Sequence, residues 1–168
     1  MLDKDIALSK ADFGSPSSHK YPSKNIILLS CTAFLLISLS DQFCVERHKS
    51  DFLDLVKNKL DVTFANEQEI RALINAKSFE DVIEFGKQLG KLLIITRGKK
   101  GSIAIKNQEI VECQSKPDLK IVDLTGAGDL FAAGFLHGLI NNVSTKECLE
   151  KGTEMSAKII QKVGARLD

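Results

Sequence analysis

Apolar and polar positions from residue 51 onward follow a pattern that predicts helices and strands in alternation. Residues 51–60 carry apolar side chains at helical spacing, and Val62–Ala65 follows as a short strand. Asn66 is suited to cap the next helix, and Ser78, with an acidic residue three positions later, opens a further one. The unbroken apolar run Leu92–Thr96 is typical of a strand that is covered on both faces.

The pattern continues through a hairpin and two long helices. Ser102–Lys106 and Glu109–Cys113 alternate around a polar dipeptide, which indicates two antiparallel strands. Leu119–Val122 is predicted as a strand that leads into a glycine-rich turn, and helices are predicted over Gly128–Ile140 and Thr145–Val163. Strands that alternate with helices imply a layered α/β fold with a largely parallel sheet.

The beginning of the chain follows no such pattern. Residues 1–25 are rich in turn formers, which predicts loop or disorder. The apolar run Ile26–Leu39 is 14 residues long, shorter than the roughly 20 residues that a membrane helix needs. It also lies too far from the start for a signal-peptide core. We interpret it as a buried strand, or as a helix followed by a strand. The predicted division is an atypical segment, 1–36, and a folded domain, 37–168.

Composition and charge exclude several classes of partner. Among 168 residues, Lys and Arg number 23 and Asp and Glu 22, so the net charge is +1. That balance gives no electrostatic reason to expect nucleic acid or a membrane surface as partner. The four cysteines are scattered, which disfavours a zinc site or a disulfide framework. Free thiols are typical of a reducing compartment, so we expect a cytoplasmic protein.

The strongest chemical signal is the turn Thr125–Gly128, which lies between the strand predicted to end at Val122 and the following helix. Small residues let the backbone approach a ligand closely, and the first amides of a helix point outward without an internal partner. Together with the helix dipole they form an anion site, for which phosphate is the natural ligand. Asp129 is then either a cap residue that the dipole stabilises or a general base, and the spacing leaves both open.

Other nucleotide motifs are missing from the sequence. The pattern G-x-x-x-x-G-K-[ST] is absent, so the chain is not a P-loop enzyme. The pair Gly126 and Gly128 lacks the third glycine of the dinucleotide fingerprint, because Phe131 stands in its place. The H-R-D element of protein kinases is also missing.

Three motifs in order resemble those of the PfkB-type, or ribokinase-like, carbohydrate kinases. The run Asp123–Asp129, followed by Ala133-Gly134, is similar to the second signature of that family, with Leu124 in place of the usual Thr, Pro, Ser or Val. Asn66–Glu69 resembles the N-x-x-E element, and Thr96–Gly101 resembles the T-x-G-x-x-G loop. Alone, the former is a common helix start and the latter a common strand-turn-hairpin. In combination they identify the family, and residues 38–48 resemble its adenosine-kinase-like branch.

This resemblance implies a three-layer α/β/α, Rossmann-like fold with a mostly parallel sheet and an ATP-dependent transfer of phosphate to an alcohol group of a sugar or nucleoside. Asp129 would be the general base, and the amides of Gly126, Ala127 and Gly128 would hold the charge on the γ-phosphate. The ATP side would be lined by Thr96, Gly98, Gly101 and Thr125, and the adenine flanked by Ala157, Ile160 and Val163 on the last helix. Asn66 and Glu69 would support Mg²⁺, and Asp123 would orient the turn or help to hold a monovalent cation such as K⁺.

The resemblance covers residues 37–168 and leaves the substrate half of the family, with its β-lid, unmatched. Two hypotheses follow. The chain is an ATP-dependent kinase impaired by the missing half, or it is a non-catalytic nucleotide-binding remnant or one half of a split kinase that a separate N-terminal half complements. The acceptor, the oligomeric state, the stability of the fold and the role of residues 1–36 are left open by the sequence.

Overall fold

A five-stranded mixed sheet forms the centre of the computed structural model, which describes residues 34–39 and 41–167. Its strands lie side by side in chain order: β1 (Leu36–Ser38), β2 (Val62–Asn66), β3 (Leu92–Thr96), β4 (Ser102–Lys106) and β5 (Glu109–Cys113). The first three strands are parallel and are joined by helices, whereas β4 and β5 extend the sheet as antiparallel strands. The hairpin predicted for β4 and β5 is confirmed.

Helices cover both faces of the sheet. They are α1 (Gln42–Arg47), α2 (Lys49–Asp54), α3 (Glu67–Ile74), α4 (Phe79–Leu89), α5 (Ala127–Ile140) and α6 (Thr145–Ile159). A π-helical turn, Leu55–Lys59, continues α2, and a short 3₁₀ turn, Gly98–Lys100, follows β3. The predicted caps are present, because Asn66 and Ser78 each accept a backbone N–H at the start of α3 and α4.

Alternate residues of the central strands supply two separate cores. Leu93 and Ile95 of β3 pack among the helices from α1 to α4, and Ile94 packs on the opposite face beneath α5 and α6. Both sides of β3 are therefore buried, as its unbroken apolar run predicted. The predicted three-layer α/β/α architecture is confirmed.

Two glycines bring α5 and α6 into close contact. A Cβ atom at Gly134 would lie 2.6 Å from the carbonyl oxygen of Lys151, and one at Gly152 would lie 2.8 Å from that of Phe131. Distances this short leave room only for hydrogen at both positions. The start of α5, which carries the glycine turn, is thus held against α6 by backbone packing.

Two predicted element boundaries are wrong. Residues 119–122 have irregular backbone, and the N–H of Val122 donates to the carbonyl oxygen of Ile160 at 2.8 Å instead of to a strand. The apolar pattern there reflects a segment that runs along the end of α6. That helix ends at Ile159 and not at Val163, because the Ile160 carbonyl accepts the amides of Val122 and Asp123 from outside the helix.

The remaining expectations concern the beginning of the chain, the thiols and the membrane. Within the apolar run 26–39, the described part contains β1, which confirms a strand there. The expected burial of that strand is wrong, because Leu36 and Ser38 are exposed at the edge of the sheet. Residues 1–33 lie outside the described part. The division at residue 37 stays a prediction. Cys44, Cys113 and Cys148 are free thiols. Among residues 34–39 and 41–167, no helix has the length and apolar character needed to cross a bilayer.

Candidate functional site

A cavity of about 680 Å³ opens at the end of the sheet between the loop after β3, the segment before α5 and the end of α6. Its volume lies within the range of about 300–1,000 Å³ that is usual for small-molecule sites. Seven of the predicted site residues line it: Thr96, Gly98, Gly101, Ala127, Gly128, Ala157 and Ile160. The fold therefore brings together three segments that are far apart in the sequence.

Other predicted site residues stand outside the lining. Among the described residues, those that border the cavity do not include Asp123, Thr125, Gly126, Asp129, Asn66, Glu69 or Val163. Val163 lies beyond the end of α6 and is 83% exposed, so its expected place on the last helix is wrong. Sequence reasoning also missed cavity residues, among them Ser102, Leu119, Ile121 and Phe131.

The carboxylate of Asp123 holds the glycine turn in shape. Its Oδ1 accepts from the backbone N–H of Thr125 at 2.9 Å and from the Thr125 hydroxyl at 2.7 Å. Its Oδ2 accepts from the N–H of Gly164 at 2.9 Å, which ties the turn to the segment after α6. These bonds, that of Thr125 first and that of Gly164 next, hold the pKa of Asp123 below its usual value. The geometry is that of a residue that orients the turn.

Gly126 begins α5 in a conformation that favours glycine. Its φ is 77°, and a Cβ atom there would lie 2.9 Å from the Cβ of Ala165. The N–H of Ala127 already donates to the carbonyl oxygen of Leu124 at 3.1 Å, so in this conformation it is not free to bind an anion. Gly128 is exposed, and a Cβ placed there meets no described atom within 4 Å. At the predicted anion hole, space is thus free beside Gly128, whereas the N–H of Ala127 is bonded to Leu124.

Asp129 lies in the first turn of α5, directly after Gly128, and is exposed. The helix dipole favours a carboxylate at this position, which fits a cap residue. Exposure beside the cavity also lets a hydroxyl from outside approach, which fits a general base. The geometry is compatible with both roles that the sequence left open.

Asn66 and Glu69 bond each other at the start of α3. The Asn66 side chain accepts the Glu69 N–H at 2.8 Å, and the Glu69 carboxylate accepts the Asn66 N–H at 2.8 Å. Glu69 is only 5% exposed, and this burial raises the pKa of its carboxyl above the usual value. The hydrogen bond from the Asn66 N–H lowers the pKa by less than burial raises it, and the charge of Asp41 raises it a little further. In the described ranges no group of three His, Cys, Asp or Glu side chains could ligate a metal. The oxygen donors fit a hydrated Mg²⁺ that keeps its waters better than one held directly.

A charge cluster that sequence reasoning missed links α3 to the loop after β3. Glu67 Oε2 lies 3.0 Å from Arg97 Nε and 3.9 Å from Lys100 Nζ, and its Oε1 lies 3.9 Å from an Arg71 guanidinium nitrogen. The Arg97 guanidinium stacks over the Phe79 ring at 3.6 Å. Glu67 and Arg97 occupy variable positions of the two motifs, and their opposite charges were the signal available in the sequence.

The loop between β3 and β4 is closed on itself. The N–H of Arg97 donates to the Gly101 carbonyl at 2.8 Å, and the N–H of Gly101 donates to the Gly98 carbonyl at 3.0 Å. Gly101 has a φ of 86°, and a Cβ atom there would lie 2.1 Å from the carbonyl oxygen of Cys113. The Ser115 hydroxyl donates to the Lys99 carbonyl at 2.8 Å. The loop is therefore a fixed rim of the cavity.

Comparison with known proteins agrees with the motif pattern. The sequence profile of the pfkB family carbohydrate kinases matches residues 34–168. A cytidine kinase of Thermococcus kodakarensis is 33% identical over 119 residues, which cover 69% of this chain and 42% of the relative. A solved adenosine kinase of Sinorhizobium meliloti matches with a TM-score of 0.77 at 36% identity, covering 80% of this chain and 41% of that one.

A further solved structure is an Anopheles gambiae adenosine kinase in complex with P1,P4-di(adenosine-5) tetraphosphate. It matches with a TM-score of 0.68 at 28% identity and covers 78% of this chain and 43% of that one. The chain thus spans less than half of the length of each of these three relatives. The resemblance seen in the three motifs is confirmed by the profile match over the described part of the chain, and the chain belongs to the pfkB family of carbohydrate kinases.

Proposed function

We propose that the chain carries the nucleotide-binding and phosphoryl-transfer part of an ATP-dependent kinase that phosphorylates an alcohol group of a sugar or nucleoside. The observation that carries the proposal is the meeting of three segments at one cavity. The closed loop with Gly98 and Gly101 forms one wall, the start of α5 at Gly128 a second, and Ala157 with Ile160 a third. Family membership supports the same reading, since the matched relatives include adenosine and cytidine kinases.

ATP fits the two chemical characters of this cavity. Open backbone at Gly128 and the positive end of the α5 dipole favour the triphosphate. The apolar side chains of Ala157, Ile160 and Phe131 offer a surface against which a base can pack. The Anopheles gambiae relative was solved in complex with P1,P4-di(adenosine-5) tetraphosphate, which supports an adenine nucleotide as the ligand.

Each role that the family resemblance implies is assigned to a residue of this chain. Asp129 takes the proton from the acceptor hydroxyl, and the turn 126–128 holds the charge that develops on the transferred group. For Ala127 to take part, its N–H must leave the Leu124 carbonyl when the phosphate arrives. Asn66 and Glu69 act on Mg²⁺ through its waters, and Asp123 keeps the turn in register, with K⁺ as the cation it would help to hold.

A second candidate is a nucleotide-binding half that works only with a complementing N-terminal half. The specific observation in its favour is that apolar side chains are exposed at the edge of the described sheet, beside and on β1. Phe34 and Leu35 are 65% and 55% exposed beside β1, and Leu36 on β1 is 44% exposed. In the described part of the chain β1 is an edge strand, and apolar side chains at such an edge are suited to pair with a further strand. Under this candidate the chain binds ATP and has weak or no transfer activity by itself.

The test is a phosphoryl-transfer assay of the purified chain with Mg-ATP and a panel of nucleosides and sugars, paired with calorimetric titration of Mg-ATP. Transfer that is lost in Asp129→Asn supports the kinase. Binding of Mg-ATP without transfer supports the complemented half, and adding an N-terminal half of a matched relative should then restore the rate. A rate that is the same in Asp129→Asn contradicts the assigned base, and a chain that binds no nucleotide contradicts both candidates.

A further inference from the structure

The buried part of the sheet face beneath α5 and α6 is mostly apolar, and a row of polar or thiol side chains stands at one end of it. Thr96, Ser102 and Cys113 stand opposite one another on β3, β4 and β5. Residues directly opposite in antiparallel strands point to the same face of the sheet. Thr153 of α6 lies above the row, with its Oγ1 3.6 Å from the Cys113 sulfur. The buried apolar side chains of this face include those of Val62, Phe64, Ile94 and Ala104.

Ser102 differs from its neighbours Thr153 and Ser115, whose hydroxyls have partners. It is 4% exposed, and its hydroxyl finds no hydrogen-bond partner within residues 34–39 and 41–167. Cys113 and Thr153 contact each other, and the Ser115 hydroxyl donates to the Lys99 carbonyl at 2.8 Å. Buried polar side chains in folded proteins nearly always have a partner, so an unmet one calls for an explanation.

The position of Ser102 supplies that explanation. It lines the cavity next to Gly101 and shares the lining with Thr96, its cross-strand neighbour, and with Phe131 of α5. Ser102 lies on β4 between β3 and β5, with α6 packed over this part of the sheet, and the cavity borders the same residue. An atom of whatever fills the cavity is therefore a candidate partner for the Ser102 hydroxyl.

We propose that the Ser102 hydroxyl is a direct ligand contact, which hydrogen-bonds a neutral polar atom in the nucleoside half of the nucleotide. This rests on the proposed nucleotide function and adds to it a residue that determines affinity. A neutral hydroxyl on an apolar face suits an uncharged ribose or base atom. The charged phosphates are addressed elsewhere, by the start of α5 at Gly128 and by the exposed Lys99 at the rim.

The substitution Ser102→Ala tests this with two readouts of opposite sign. Affinity for a non-hydrolysable Mg-ATP analogue, measured by calorimetry on the full chain, should fall about three- to tenfold, the usual worth of one hydrogen bond. The melting temperature of the unliganded chain should stay level or rise, because the variant no longer buries an unmet hydroxyl. Ser115→Ala is the matched control. It removes a hydroxyl that already has a protein partner, and so it should lower the melting temperature.

Analogues locate the partner atom. The wild-type chain and Ser102→Ala are titrated with ATP, 2′-deoxy-ATP, 3′-deoxy-ATP and inosine triphosphate, each with Mg²⁺. The analogue that lacks the partner atom should bind the wild-type chain more weakly, with no further loss in Ser102→Ala, because the same bond is then already missing. A loss confined to 2′- or 3′-deoxy-ATP assigns the ribose, and one confined to inosine triphosphate assigns the base.

Several results would overturn the proposal. An unchanged affinity for ATP in Ser102→Ala, with the melting temperature raised, would show that the hydroxyl contacts no ligand. An equal loss of affinity for inorganic tripolyphosphate would move the contact to the phosphates. A wild-type chain that binds none of the four nucleotides would contradict the proposed function itself, and this result is distinguishable because it appears before any substitution is made.

Discussion

Two regions meet at the cavity, and they are held in shape in different ways. Side chains hold the loop after β3. Its Arg97 lies 3.0 Å from Glu67 of α3 and stacks over Phe79 of α4. The glycine turn before α5 is held by the single carboxylate of Asp123 and by backbone bonds to the end of α6.

The difference indicates a division of work. The loop is tied to two helices of the opposite layer, so its shape is set before any ligand arrives. The turn keeps Gly128 and Asp129 exposed. The N–H of Ala127 donates to the Leu124 carbonyl, and a phosphate oxygen, which is a stronger acceptor, can replace that carbonyl. We therefore expect changes in the loop to act on stability, and changes in the turn to act on phosphate and on rate.

The largest effect is expected at the turn, on rate. Asp129→Asn should lower kcat by about 10²–10⁴-fold, the usual contribution of a general base. Because Asp129 is exposed, the melting temperature should hardly change. The measurement is phosphorylation of an acceptor that the wild-type chain, with a complementing half where needed, turns over. Glu150→Gln, an exposed acid on α6, is the control and should leave the rate unchanged. A stability loss without a rate loss would place Asp129 in a capping role.

The next effect is expected in the loop, on stability. Gly101→Ala should lower the free energy of unfolding by roughly 3 kcal/mol or more, since it combines backbone strain with a backbone clash. The new Cβ would lie 2.1 Å from the Cys113 carbonyl oxygen. Gly98→Ala is the matched control, because its φ is also positive but its Cβ meets no described atom within 4 Å. The control should cost about 1–2 kcal/mol. Denaturant unfolding that shows equal losses would contradict a fixed loop.

A smaller effect is expected for the charge cluster that links the loop to α3. Arg97→Met should lower the free energy of unfolding by about 1 kcal/mol, since it removes a half-buried ion pair and a cation–π contact. Arg71→Met removes a 3.9 Å approach to the same Glu67 and an exposed hydrogen bond of 2.6 Å to the Lys77 carbonyl. Because the Arg71 side chain is more exposed than that of Arg97, this change should cost less. Thermal melts of both variants decide the order. Equal effects would mean that Arg97 does not fix the loop.

The smallest effect is expected at Asp123 and depends on pH. Its pKa is lower in the folded chain than its usual value of 3.8, so it contributes stability above about pH 4 that is lost as the pH falls through the folded value. Asp123→Asn cannot titrate, so the gap in melting temperature between wild type and variant should shrink from pH 6 to pH 3. A constant gap would show that the charge of Asp123 does not hold the turn. The effect is small because Asp123 is only half-buried, so solvent screens its charge.

Local features of the fold could be predicted from the sequence. The caps at Asn66 and Ser78 depend on residues three positions apart, and the hairpin of β4 and β5 on one alternating stretch. The strand expected at 119–122 was wrong because an apolar run does not reveal its partner, which is the end of α6 and not the sheet. The predicted end of α6 at Val163 was wrong for the same reason, since the helix ends at Ile159, where the segment before α5 bonds to it.

In the candidate site, too, local features could be predicted and contacts between distant residues could not. The glycine turn and the glycines of the loop could be found because each belongs to a short local motif. The order of these motifs along the chain indicated the family, which the profile match confirms. The pair of Glu67 and Arg97 is 30 positions apart, and the burial of Ser102 depends on α6 folding back over β4. The bond from the Ala127 N–H to Leu124 depends on the conformation of the turn. Contacts of this kind appear only once the chain is folded.

The central claim is that the loop after β3, the glycine turn and the end of α6 form one nucleotide site. A crystal structure of the chain with Mg²⁺ and a non-hydrolysable ATP analogue tests it most directly. The account predicts the triphosphate against Gly126–Gly128, with the Ala127 N–H turned from Leu124 to phosphate. It places the nucleoside between the loop after β3 and the side chains of Ala157 and Ile160, within reach of Ser102. A nucleotide bound elsewhere on the chain, or a cavity left without nucleotide at millimolar concentrations, would contradict it.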